Sequence, residues 1–209
     1  MTPLQVIELI AVVSAAFYGV LLAVRTEMDV TGMFAVAFVA AFGGGTLRDV
    51  FLNREPLFWI AYPHYPLIVF GIALLASFLP RVITALERYL TIPDALGMGA
   101  FTITGASLAL RADTTWFLAS LFGVLTGCFG GVIAEIVCNR VPETFRPGRP
   151  MNLTCCFAGG WVFIIAQHLE MPRPGPMILG AAVVTIFRLL AVRFKWSYPR
   201  VGVSEEEAT

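Results

Sequence analysis

The sequence predicts an all-α integral membrane protein with seven transmembrane helices, arranged as an inverted three-plus-three helix repeat with one accessory helix. The first observation is composition: 58% of the 209 residues are hydrophobic and 13% are charged. Ordinary soluble domains are about 45–50% apolar and about 25% charged. The second and third observations are seven long apolar stretches and one internal repeat. Unbroken apolar runs also exclude a β-barrel, whose strands alternate over about 10 residues.

Each apolar stretch approaches the roughly 20 residues that a helix needs to cross a bilayer. The predicted spans are 4–24, 30–52, 65–79, 94–110, 114–138, 151–167 and 175–192. Glu8 stands where a signal peptide would carry positive charge, so we interpret the first stretch as a retained span. Prolines 63, 66 and 80 flank or open the short third span. Seven spans leave no room for a soluble catalytic domain, and no enzyme motif is visible, so we predict a protein that is not an enzyme.

Basic residues orient the predicted spans. Three lie on the side of the N-terminus, and nine lie on the other side: Arg25, Arg81, Arg88, Arg140, Arg146, Arg149, Arg193, Lys195 and Arg200. The positive-inside rule then predicts a multi-pass membrane protein with its N-terminus outside and its C-terminus cytoplasmic. The acidic tail, residues 204–209, would be cytoplasmic and disordered. With a formal net charge of +0, nothing favours nucleic-acid binding.

The chain matches itself at an offset of 86 residues. At this offset Asn53-Arg54-Glu55-Pro56 falls on Asn139-Arg140-Val141-Pro142, and Gly44-Gly45 falls on Gly130-Gly131. Each copy contains three spans, so the second copy enters the membrane from the opposite side and the repeats are inverted. We predict repeats at 1–93 and 94–172, followed by the seventh helix and tail at 173–209. Inverted-repeat proteins place their ion or substrate site near the membrane midplane.

Glycines interrupt the second and fifth spans at corresponding depths, at Gly43, Gly44 and Gly45 and at Gly130 and Gly131. Consecutive glycines favour a kink or an unwound turn, whose free backbone groups need polar partners. This interpretation places a monovalent cation near Gly44 and Gly130. The alternative is that small residues let two helices pack closely, and the sequence alone leaves both open.

Polar rows follow both glycine segments, at Gly45, Asp49 and Asn53 and at Gly131, Glu135 and Asn139. A spacing of four places each row on one helix face. Carboxylates inside a membrane need a partner or water, so the rows are expected to face the bundle interior. Alternatively, Arg48 neutralises Asp49, and Arg188, at the depth of Glu135, neutralises that residue. The repeat counterpart of Arg48 is Ala134, so an arginine gate would lie on the outer side only.

Hydroxyl side chains occur in the first and fourth spans, at Ser14, Tyr18, Thr102, Thr104 and Ser107. As pore-lining groups they would replace part of the hydration shell of a cation. The alternative is that they bond to their own or neighbouring helices. We predict no cofactor and no structural metal, because the four cysteines lack the spacing of metal ligands.

The segment 43–50, Gly-Gly-Gly-Thr-Leu-Arg-Asp-Val, and its echo at 130–135 resemble the prokaryotic TRIC family, the trimeric intracellular cation channels. The resemblance covers about residues 5 to 195 and includes Thr46 among the pore residues. It implies a homotrimer in membrane lipids, with a monovalent-cation pore in each protomer lined by the second and fifth helices. The second copy departs from the family pattern at Ala134 and Glu135.

Together with the resemblance, these observations predict a potassium-permeable, weakly selective channel in the inner (plasma) membrane of a bacterium. In it Asp49 and Glu135 attract potassium or sodium ions, and Arg48 tunes or gates the outer half. One alternative is a secondary transporter of a small solute such as glycine, because inverted repeats with broken helices also suit alternating access. Another is a structural membrane protein whose glycines only pack helices.

Overall fold

The structure is a computed structural model that describes residues 2–199 and, within them, consists almost entirely of helices. In chain order these are α1 Pro3–Arg25, α2 Val30–Phe51, α3 Phe58–Ala61, α4 His64–Phe78, α5 Pro80–Leu86, α6 Thr91–Arg111, α7 Trp116–Val137, α8 Leu153–His168 and α9 Gly175–Arg193. The seven long helices coincide with the seven predicted spans, which confirms the fold class. The short helices α3 and α5 were not predicted. Arg200 and the acidic tail at 204–209 lie outside the described residues.

Four of these helices are long and apolar enough to cross a membrane: α1, α2, α7 and α9. The apolar helices α4 and α8 are shorter, with 15 and 16 residues. Helix α6 has 21 residues and packs against α1, α7, α8 and α9, so most of it is buried inside the bundle. Its glycines and hydroxyl side chains therefore face protein rather than lipid, which explains its more polar composition.

The two repeats use the same helix contacts. Helix α4 packs on α1 and α2, and its counterpart α8 packs on α6 and α7. A Cβ atom on Gly19 would overlap the carbonyl oxygen of Val36, and a Cβ atom on Gly105 would overlap that of Phe122. Gly105 and Phe122 lie 86 residues after Gly19 and Val36, so the offset found in the sequence is also an offset of packing.

The contact between α2 and α7 shows that the second copy is inverted. A Cβ atom on Gly44 would overlap the carbonyl oxygen of Thr126, and a Cβ atom on Gly130 would overlap that of Ala40. As the residue number rises along α2, that of its partner on α7 falls, so these repeat-related helices are antiparallel. Helix α9 packs on α6 and α8 and has no counterpart in the first copy. The exact repeat boundaries, 1–93, 94–172 and 173–209, stay a prediction.

The glycines do not unwind either helix. Helix α2 continues through Gly43, Gly44 and Gly45, and α7 continues through Gly130 and Gly131. Of the two expected effects, the unwound turn is therefore wrong, and a kink at these glycines stays a prediction. Small residues at the crossing let the two backbones approach closely instead, as in other membrane helix pairs.

Candidate functional site

A charged cavity of about 110 Å³ enters the bundle between the two repeats. It lies where α1, α7 and α9 end and α6 and α8 begin, so it opens on the side of the membrane that carries most basic residues. Its charged lining residues are Arg25, Arg88, Asp94, Glu135, Arg140, Glu143 and Arg188. Its inner end reaches the crossing of α2 and α7, at Ala40, Thr126 and Gly130. The cavity thus connects one membrane side to the centre of the inverted repeat.

Glu135 lies in this cavity with two hydrogen-bond donors. The Tyr18 hydroxyl donates to Glu135 Oε1 over 3.1 Å, and the Glu143 backbone N–H donates to Oε2 over 2.7 Å. The first bond joins α1 to α7 across the repeats, and the second fixes the loop after α7. Of the predicted hydroxyls, Tyr18 is the one that lines the cavity.

Arg188 also lines the cavity, but the expected pairing with Glu135 is wrong. Its Nη2 atom lies 3.2 Å from Asp94 Oδ2, and its Nη1 donates to the Pro150 carbonyl over 3.3 Å. Glu135 lines the same cavity, but its hydrogen bonds come from Tyr18 and Glu143 instead. Depth along two helices does not determine which way their side chains point around the helix axes.

A second charged cluster lies at the opposite end of the bundle, centred on Arg48. Its side chain is fully buried, and Arg48 Nη2 lies 2.8 Å from Asp49 Oδ1, so the predicted neutralisation of Asp49 is observed. Asp49 Oδ1 also accepts from Arg54 Nη1 over 3.0 Å, and Asp49 Oδ2 accepts from the Phe58 N–H over 2.8 Å. Asp49 therefore holds the loop after α2 much as Glu135 holds the loop after α7.

Glu8 completes this cluster. Its Oε1 atom lies 3.7 Å from Arg48 Nη2, and its Oε2 atom accepts from the Tyr65 hydroxyl over 3.3 Å. The Arg48 guanidinium also lies over the Phe58 ring, 5.1 Å from its centroid, and Arg48 Nη1 has no hydrogen-bond partner among residues 2–199. A buried charge of this kind is stable only with close countercharges, which Asp49 and Glu8 provide.

Sequence reasoning missed Glu8 and Asp94 as site residues, although the signal was present. They are 86 residues apart, near the start of the first helix of each repeat, and each contacts a buried arginine. The match of these two acids at the offset of 86 is the signal that could have identified them.

Asn53 and Asn139 do not continue the polar rows into the bundle. Both side chains are exposed, and their φ angles are 50° and 54°. Each residue lies two positions after the last residue of its helix, in the left-handed conformation that asparagine tolerates better than most residues. The assumption that the helical spacing of four continues past Phe51 and Val137 was wrong.

This conformation makes a prediction for stability. Asn53→Gly should leave the free energy of unfolding within about 0.5 kcal/mol, because glycine adopts positive φ without steric cost. Asn53→Val should lower it by about 1–2 kcal/mol, because a β-branched side chain is strained there. Denaturant titration in detergent micelles would measure both. Equal tolerance of glycine and valine would contradict the backbone explanation.

The remaining predicted residues lie outside the cavity lining. Thr46 accepts a hydrogen bond from Trp59 Nε1 over 3.0 Å, and Thr104 donates to the Ala100 carbonyl over 2.9 Å. Thr102 and Ser107 are buried outside the cavity lining. Ser14 lies in an apolar groove between α1 and α6, away from the cavity. Gly43 packs near Ile133, and Gly45 packs against the Phe58 ring.

Comparison with known proteins agrees with the repeat. The family model described as Glycine transporter matches the chain twice, at residues 5–81 and 91–168. The inner membrane protein YadS of Escherichia coli K12 is 29% identical over 201 residues, which cover 95% of this chain and 96% of YadS.

Two solved structures have the same fold. A chain solved in a study of conductance through TRIC cation channels is 31% identical, with a TM-score of 0.87 over 97% of this chain and 99% of that chain. The TRIC trimeric intracellular cation channel orthologue from Rhodobacter sphaeroides is 29% identical, with a TM-score of 0.86 over 93% of this chain and 99% of that one. With two Glycine transporter repeats and this similarity along nearly its whole length, the chain belongs to the prokaryotic TRIC family.

Proposed function

We propose that this chain is the protomer of a homotrimeric, potassium-permeable cation channel with one pore inside each protomer. The observation that carries the proposal is the charged cavity between the inverted repeats, which ends at the crossing of α2 and α7. The structural relatives are described as TRIC cation channels, and the Rhodobacter sphaeroides protein is described as trimeric. Both descriptions support the same function for this chain.

The proposed pathway begins in the cavity, where the negative charges of Glu135 and Asp94 partly neutralise the arginines of the lining. It passes Gly130 and Gly131, which line the inner end, and reaches the α2–α7 crossing near Gly44. The backbone carbonyls of a continuous helix are already hydrogen-bonded to amides. A cation here would keep most of its water, so we expect weak discrimination between potassium and sodium.

The outer half of the proposed pathway is closed by the Arg48 cluster. The Arg48 side chain is 0% exposed, between Asp49, Glu8 and the Phe58 ring. A cation leaving the crossing towards this end would meet a fixed positive charge whose countercharges are already occupied. Conduction in this proposal therefore requires the Arg48 guanidinium to move away from the pathway.

The proposed membrane is the bacterial inner membrane, where the basic side of the chain would be cytoplasmic. The Escherichia coli relative is described as an inner membrane protein, which supports this location. The cavity, which opens among Arg25, Arg88 and Arg140, would then face the cytoplasm, and the N-terminus and the Arg48 cluster would lie on the outer side.

Single-channel recording in planar bilayers tests the function. We expect discrete current steps with the purified protein in asymmetric KCl, with a reversal potential close to the potassium equilibrium potential and little change when sodium replaces potassium. Protein-free bilayers are the control. Reversal near the chloride potential would contradict a cation channel. Saturable, ion-coupled glycine uptake into liposomes without current steps would support the alternative, a glycine transporter.

A further inference from the structure

We infer that Arg188 of α9, held by Asp94, sets the electrostatic barrier that cations meet in the inner cavity. The accessory helix thus supplies to the second repeat the arginine that Arg48 supplies to the first. This inference deepens the proposed function and rests on it. It names Asp94 and Arg188 as the pair that regulates the cytoplasmic half of the pathway.

The internal repeat relates the two acids that pair with these arginines. Glu8 and Asp94 are equivalent by the offset of 86, and each faces a buried arginine. The residue equivalent to Arg48, however, is Ala134, which is fully buried and carries no charge. The acid of the first helix has been kept in both copies, whereas its arginine partner comes from α2 in one copy and from α9 in the other.

The ion pair of Asp94 and Arg188 lies in the wall of the proposed pathway. Asp94 and Arg188 both line the cavity, and their side chains are 19% and 7% exposed. Arg48 lies outside the cavity lining, so in the proposed pathway one arginine blocks the outer half and the other places its charge beside the cavity. A fixed charge in the wall of a narrow cavity changes the local cation concentration without blocking the passage.

The two members of the ion pair have opposite charges and should therefore have opposite effects on cations. Removing the guanidinium leaves the Asp94 carboxylate free to attract cations, whereas removing that carboxylate leaves the guanidinium to repel them. Both substitutions break the same ion pair. A merely structural pair would give the same direction of change for both, because either change weakens the same contact between α6 and α9. An electrostatic barrier gives opposite directions.

Single-channel conductance in symmetric KCl tests this. We expect Arg188→Gln to raise potassium conductance about threefold and Asp94→Asn to lower it about threefold. Arg188→Lys, which keeps the charge, should stay near the wild-type value. Arg193→Gln is the matched control, because it removes the same charge from an exposed position on the same helix. Its conductance should stay within about 1.5-fold of wild type, since that charge is screened by solvent.

The double variant Asp94→Asn/Arg188→Gln leaves no unpaired charge and protects the test if a single variant fails to fold. We expect its conductance to return to near the wild-type value. Equal conductance of wild type and both single variants, or a loss in both singles and in the double variant, would overturn the inference while leaving the channel intact. Wild-type protein without any current would instead overturn the proposed function itself.

Discussion

Arg48→Gln is expected to lower the free energy of unfolding by about 3–5 kcal/mol, the usual cost of breaking a buried ion pair. The substitution leaves Glu8 with the hydrogen bond from the Tyr65 hydroxyl, while Asp49 keeps the half-exposed Arg54 and the Phe58 N–H. Two carboxylates would then share the buried site with too little positive charge. Denaturant titration in detergent micelles, followed by circular dichroism, would measure the loss.

Arg54→Gln is the matched control for this prediction, because it removes the same charge from the same carboxylate. Its side chain is 40% exposed, and ion pairs near solvent contribute about 0–1 kcal/mol. Adding Glu8→Gln to Arg48→Gln should recover part of the stability, since one unpaired acid is removed. Similar losses for Arg48→Gln and Arg54→Gln would show that the burial of Arg48 does not determine its contribution.

Gly44→Ala and Gly130→Ala are each expected to lower the free energy of unfolding by about 2 kcal/mol. In both variants the new methyl group would overlap a backbone carbonyl oxygen on the facing helix. A backbone atom cannot rotate away as the end of a flexible side chain can, so α2 and α7 must separate. We also expect potassium flux to fall, because the proposed pathway ends at this crossing.

Gly71→Ala on α4 is the control, because a Cβ atom there would have nothing within 4 Å. Alanine favours a helix by up to about 1 kcal/mol over glycine, so this variant should be as stable as the wild type or more stable. Wild-type stability and flux in Gly44→Ala and Gly130→Ala would show that the crossing tolerates more space than its geometry suggests.

The sequence predicted the helices and the repeat well, because both depend on patterns along the chain. Apolar length marks a span, and the polar matches at the offset of 86, such as Asn53-Arg54 with Asn139-Arg140, are not produced by shared hydrophobicity. The inversion followed from an odd number of spans. None of these sequence patterns depends on which helices touch in the folded protein.

The site was predicted only in part, because its contacts depend on directions around each helix. Consecutive glycines have the same signature in a sequence whether they unwind a helix or pack it against another helix. In the structure the carbonyl oxygens of Thr126 and Ala40 lie against Gly44 and Gly130, which shows close packing. Arg188 lines the cavity, but the acid predicted to pair with it was wrong, since its partner is Asp94 on helix α6. Asn53 and Asn139 were placed in the polar rows by a helical spacing, but both helices end before these residues.

The reciprocal glycine contact has a consequence for how such a chain could arise. In the language of oligomers it is isologous: the same surface patch is used from both sides, as in a symmetric dimer. A three-helix unit inserted into a membrane in both orientations would already carry the surface needed to pair with a copy of itself. The two halves of the present chain differ in their charges. The acid of the first half pairs with Arg48 of α2, whereas the acid of the second half pairs with Arg188 of the accessory helix α9. The two halves therefore share a symmetric packing surface but have different arrangements of charge.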